Sequence, residues 1–179
     1  MNALLQFARW VDALTDRFAW LAQWAVIAAC LISAGNALVR YGFGYSSNAW
    51  LEIQWYLFAA CVMLGAAQVL RRNEHVRVDL FYGRLGSRGQ VWVDLFGLAC
   101  FLMPVMLLML WLAMPLFIGA LQSGEVSANA GGLVRWPVML LLPLGFLLLC
   151  LQGAAEIVKR VAWLMGQHDM PAHYERPLQ

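Results

Sequence analysis

Four apolar runs, each about long enough to cross a bilayer, constrain this chain more than any other feature. No charge falls between Arg17 and Arg40, between Glu52 and Arg71, between Asp94 and Glu125, or between Arg135 and Glu156. A helix rises about 1.5 Å per residue, so some 20 residues span the roughly 30 Å hydrocarbon core. The composition agrees, with 63% hydrophobic and 12% charged residues and a mean hydropathy of +0.67; soluble domains are nearer half apolar and a quarter charged. The chain therefore reads as an all-α integral membrane protein. Its four transmembrane helices are expected at about 18–39, 49–70, 91–122 and 136–158, within one membrane domain over 1–165, followed by a flexible tail over 166–179.

Two further segments have the pattern of interfacial helices. Over 2–17, Phe7, Trp10, Val11, Leu14 and Phe18 recur at helical spacing while Gln6, Arg9 and Asp16 fall elsewhere. Such a helix would lie among lipid headgroups with its aromatics down, or simply extend the first span. A cleaved signal peptide is the competing reading, but the apolar run is too long and starts too late. Over 75–85, Val78, Phe81, Tyr82 and Leu85 form a second apolar stripe, expected to stop near Gly86 and Gly89. Within the first span, Ala25, Ala29, Ser33 and Ala37 repeat every fourth residue, a ridge of small side chains that lets another helix approach closely. In the third run, Pro104 and Pro115 remove backbone donors, free the carbonyls of Cys100 and Trp111, and allow kinks.

The basic residues set the orientation. One side of the membrane would hold Arg9, Arg17, Arg71, Arg72, Arg77, Arg84, Arg88, Lys159, Arg160 and Arg176, the other only Arg40 and Arg135. Ten against two is a strong positive-inside bias, which puts both termini in the cytoplasm. Arg71, Arg72, Arg77, Arg84 and Arg88 are placed to anchor the central segment on anionic headgroups. A formal net charge of only +2 gives no sign of a nucleic-acid partner.

Catalytic signatures do not appear. There is no GxxxxGK[ST] phosphate loop, no GxSxG and no HExxH. His75, His168 and His173 all lie outside the spans, so a haem held by histidines of facing helices, as in a redox membrane anchor, is not expected. His75 and Asp79, one turn apart, would make only half a metal site. The four cysteines sit singly in the four runs and read as small apolar residues. Glu52 is the one carboxylate that could reach apolar surroundings. It is either a cation- or proton-coupling group, as in a small four-span exchanger, or a structural group near the outer interface beside Trp50, hydrogen-bonded to or paired with a basic group of another subunit, Arg40 and Arg135 being the only basic residues of this chain on that side.

Glu52-Ile53-Gln54-Trp55-Tyr56-Leu57-Phe58, then Gly65-Ala66, Arg71-Arg72 and His75-Val76-Arg77-Val78-Asp79, resemble the small membrane subunit, the DctQ-like component, of tripartite ATP-independent periplasmic (TRAP) transporters. The likeness runs from the first span to Glu156. Gly131-Gly132-Leu133 with Arg135-Trp136-Pro137 resembles the subtype labelled mannitol/chloroaromatic. Family members often carry a glycine just before the His, where Asn73-Glu74 stands here; Asn tolerates positive φ, so the turn can survive. The resemblance implies a subunit without cofactor or catalytic site in the bacterial inner membrane. A large membrane subunit would carry an organic acid with sodium, and a periplasmic protein would deliver the substrate. Glu52, Gln54, Trp55, His75, Asp79, Ala25, Ala29 and Ser33 would then serve the large-subunit interface or the structural motif. Arg40, Tyr45, Glu125 and Arg135 could meet the periplasmic protein.

Overall fold

The computed structural model describes residues 1–73, 82–83 and 85–169. Helix α1 runs over Asn2–Phe43, α2 over Asn48–Arg72, α3 over Ser87–Phe96, α4 over Met103–Ser123 and α5 over Trp136–Leu164; a π-helical turn, Gly97–Leu102, joins α3 to α4 without a break. Taking Ser87–Ser123 as one rod, four helices among the described residues are long and apolar enough to cross a membrane. No strand occurs among the described residues.

The first helix departs from the expected division at residue 17. No glycine or proline separates the two parts, so the backbone ladder continues, and α1 is a single rod of 42 residues, about 63 Å long. Its buried face is not the aromatic stripe. Ala8, Val11, Thr15, Ala19, Ala22, Ala25, Ala29 and Asn36 are buried, whereas Phe7 and Trp10 stay exposed. Ala8 and Val11 pack on Ala155 with Leu151 and Val158 at their side, so α5 holds the first turns of α1. The ridge of small residues divides: Ala25 and Ala29 are buried and Ser33 and Ala37 exposed. Four-residue steps advance 400° around a helix, so the ridge drifts about 40° per step and leaves the packed face by its third member.

Helix α5 is the hub. It packs against α1, α2 and α4, and also meets α3 and the π turn. Ala22, Leu64, Ala67 and Leu148 form the core where α1, α2 and α5 meet. Lipid supplies little hydrophobic drive between helices, so close approach through small residues has to carry the packing. A Cβ on Gly145 would stand 2.8 Å from the Met63 carbonyl oxygen, so α2 and α5 touch backbone to backbone there. A Cβ on Gly153 would meet Leu102 and Met103 side-chain ends at 2.9 Å, seating the π turn against α5.

That turn lies just before Pro104. The Met103 N–H reaches five residues back to the Leu98 carbonyl, so the ladder changes register just ahead of the residue that cannot donate. Helix α5 continues six residues past the expected end at 158, because Glu156, Lys159 and Arg160 lie inside the packed bundle. Gly86 caps the start of α3, but Gly89 sits within it. The interfacial helix expected over 75–85 falls mostly outside the described residues.

Candidate functional site

The end of the bundle that carries Glu52 is built around a small hairpin. After α4, Val126 and Val134 form an antiparallel bridge; the Ser127 N–H donates to the Leu133 carbonyl at 2.9 Å and the Arg135 N–H to that of Glu125 at 3.0 Å. The reversal closes with the Gly132 N–H on the Asn129 carbonyl at 2.9 Å. Gly131 has φ +71°, and a Cβ on Gly132 would stand 2.7 Å from that of Ser127, so both positions require glycine.

Three residues of α2, spaced by four, receive this hairpin. Asn48 donates to the Ala130 carbonyl at 3.1 Å and Tyr56 to the Val134 carbonyl at 3.2 Å. Between them, Glu52 accepts from Asn129 Nδ2 at 2.6 Å through one oxygen and from the Leu133 N–H at 2.7 Å through the other. Glu52 is only 2% exposed. Its partners within the chain are amide donors, and Arg135, a basic residue on the same side, pairs with Glu125 at 3.0 Å. Charge-assisted bonds of this kind are short and strong, so the carboxylate is a fixed acceptor for the hairpin. Residues of 52–58, one stretch that carries the family resemblance, thus clamp the hairpin that runs into 131–137, the stretch that carries the subtype likeness.

At the other end, a polar network ties α1, α2, α3 and α5 together. Gln152, fully buried, accepts from the Thr15 hydroxyl at 2.8 Å and donates to Asp12 at 2.9 Å and Glu156 at 3.0 Å. Lys159 binds Asp12 at 3.1 Å and also Glu156. Arg160 binds Glu156 and, at 3.2 Å, Asp94 of α3, which also accepts from Tyr82 at 3.1 Å. Glu156 thus pairs with Lys159 and Arg160 three and four residues on along one helix face, within a larger assembly. Arg71 does not reach outward for headgroups. Its guanidinium lies on the Asp12 carbonyl at 3.2 Å, the Asp12 carboxylate at 3.4 Å, and Asp16. Buried charges are tolerated only when paired and hydrogen-bonded, and here each ion has its counterion on a neighbouring helix or turn.

The remaining sequence candidates are scattered. Trp55 is exposed on α2, and Gln54 bonds its own helix at the Trp50 carbonyl, 3.2 Å away. Arg40 and Tyr45 are exposed at the hairpin end and Arg72 and Arg88 at the other. His75, Arg77, Asp79 and Arg84 lie outside the described residues. Asn73 closes α2 with φ +60°, a left-handed conformation that Asn tolerates. Sequence reasoning missed Thr15, Asp12 and Gln152. Gln152 alone left a trace, an amide inside the last apolar run.

These ends and the four long apolar helices define a multi-pass helical membrane protein whose most buried ions are engaged within its own chain. The family model of the DctQ component of tripartite ATP-independent periplasmic transporters matches residues 29–162. The chain belongs to that family, a family of transporter components and not of enzymes. No curated protein and no solved structure gives a significant match.

Proposed function

We propose that this chain is the small, fixed subunit of a TRAP transporter in the bacterial inner membrane, with both termini in the cytoplasm. The large subunit would move an organic acid together with sodium, and a periplasmic binding protein would deliver it. The observation that carries this reading is the engagement of the interior ions. Glu52 holds a hairpin, and Asp12, Asp94, Glu156, Lys159 and Arg160 neutralise one another across three helices. A transport site needs polar groups that exchange partners with a substrate; these groups are arranged to stay put. The exchanger alternative would use Glu52 as its working carboxylate, and the hairpin already occupies both oxygens. On this reading the hairpin end faces the periplasm, where Arg40, Tyr45, Glu125 and Arg135 are available to the binding protein. The exposed face of α2 with Trp55, and Ser33 of α1, are available to the large subunit. The likeness of 131–137 to the mannitol/chloroaromatic subtype supports an assignment to that branch.

Proteoliposomes test the reading directly. This chain alone should give no uptake, and the large subunit with the binding protein should take up substrate only when this chain is present. Sodium-driven or proton-driven flux through this chain alone would overturn it.

A further inference from the structure

Beside the polar network, the first turns of α1 and the end of α5 enclose a cavity of about 270 Å³ lined by Asn2, Leu5, Ala8, Arg9, Asp12, Lys159 and His168. The family relationship assigns it no role. Leu5 and Ala8 give it an apolar side, and the Asn2 amide and three basic side chains gather around the rest.

The cations are not equivalent. Lys159 is committed to Asp12 and Glu156. Asp12, the one carboxylate facing the cavity, is occupied in turn by Gln152, Lys159 and Arg71, and its charge is offset. Arg9 and His168 have no hydrogen bond or ion pair among the described residues, although they come from opposite ends of the sequence. Two unpartnered donors beside an offset acid make a place for an anion with several oxygens, and Lys159 lies within the same wall. The level in the membrane narrows the choice. Arg9 stands two turns outside the uncharged run that begins at Phe18, and Leu4, Phe7 and Trp10 on the same turns are exposed. Exposed Trp and Phe beside a basic residue mark headgroup depth.

We infer that the cavity between Arg9 and His168 binds a phosphate group, with the Leu5–Ala8 side receiving the first carbons of the molecule that carries it. The shared chemistry is a phosphate mono- or diester. The apolar wall and the exposed aromatics favour an anionic phospholipid over a free phosphate compound. The site stands whether or not the transport role proposed above is correct.

The test is native mass spectrometry of the full chain in neutral detergent, with phosphatidylglycerol, phosphatidylcholine or inorganic phosphate added. Arg9→Gln, His168→Gln and the double substitution are compared with Arg17→Gln, an exposed arginine of the same helix that does not line the cavity, and thermal unfolding confirms that each variant remains folded. The wild type should retain phosphatidylglycerol, the double variant should lose about tenfold in retention, as expected for charge-assisted bonds, and Arg17→Gln should match the wild type. Millimolar inorganic phosphate that leaves the lipid in place identifies the lipid as the ligand. Displacement by phosphate alone identifies a soluble phosphate site and keeps the inference. Equal retention by wild type and double variant, or an equal loss in Arg17→Gln, would overturn it, since the binding would then be a diffuse property of a basic surface.

Discussion

Glu52 shows how differently one residue reads before and after its surroundings are known. In the sequence it is a carboxylate at the head of an apolar run, a position that favours a structural contact near the interface over coupling an ion. Its partners, Asn129 and Leu133, lie about eighty residues on, and no local pattern connects them. Glu52→Gln keeps one acceptor oxygen but turns its NH₂ toward one of two donors. Exchange of the Leu133 amide should quicken by about tenfold, read by hydrogen–deuterium exchange, and Glu52→Ala should quicken it further; an unchanged rate would mean that the hairpin stands without the clamp. Gln152 is the counterpart at the other end. Gln152→Leu leaves Thr15 without its acceptor and takes one donor each from Asp12 and Glu156, and should cost about 1–2 kcal/mol, the range for interhelical hydrogen bonds in membranes, measured by reversible unfolding in mixed micelles.

Among the elements, α2 and the apolar part of α1 were legible from run length alone, because a helix is the only way such segments can satisfy their backbone in lipid. Less legible was where a helix fails to stop. Nothing between Arg17 and Phe18 breaks the backbone, so α1 continues, and the small-residue ridge on it drifts off the packed face. The central place of α5 was also hidden, since Gly145 and Gly153 look alike in sequence and differ only in what lies opposite. Gly145→Ala drives a Cβ into the Met63 backbone and should destabilise by about 1–3 kcal/mol, the usual range for overpacking. Gly153→Ala meets only the movable ends of Leu102 and Met103 and should cost less. Thermal unfolding of the two variants side by side checks the order, and equal effects would show that α2 gives way more easily than its backbone contact implies.

For the whole molecule, the basic-residue bias separates two ends that the structure also separates. The hairpin sits on α2's first turns, and Asp12, Arg71, Asp94 and Lys159 gather at the opposite end. Which end faces the cytoplasm follows from the charge bias alone, and it is testable. In a cysteine-free background, Ser127→Cys should react with an impermeant maleimide from the periplasm and Gln167→Cys only after permeabilisation; the reverse pattern would invert the topology. Most of the network was invisible in sequence because its members sit up to 147 residues apart, and an acid such as Asp12 in an amphipathic stretch reads as solvated surface until α5 is placed beside it. The central claim is that this bundle is a fixed companion and does not transport by itself. It is tested most directly by retrieving the tagged chain from native membranes in mild detergent and identifying by mass what remains bound. A stoichiometric partner with many more spans is the predicted result. A chain recovered alone, or as a dimer that binds small cations, would contradict the account and return Glu52 to the position of working residue.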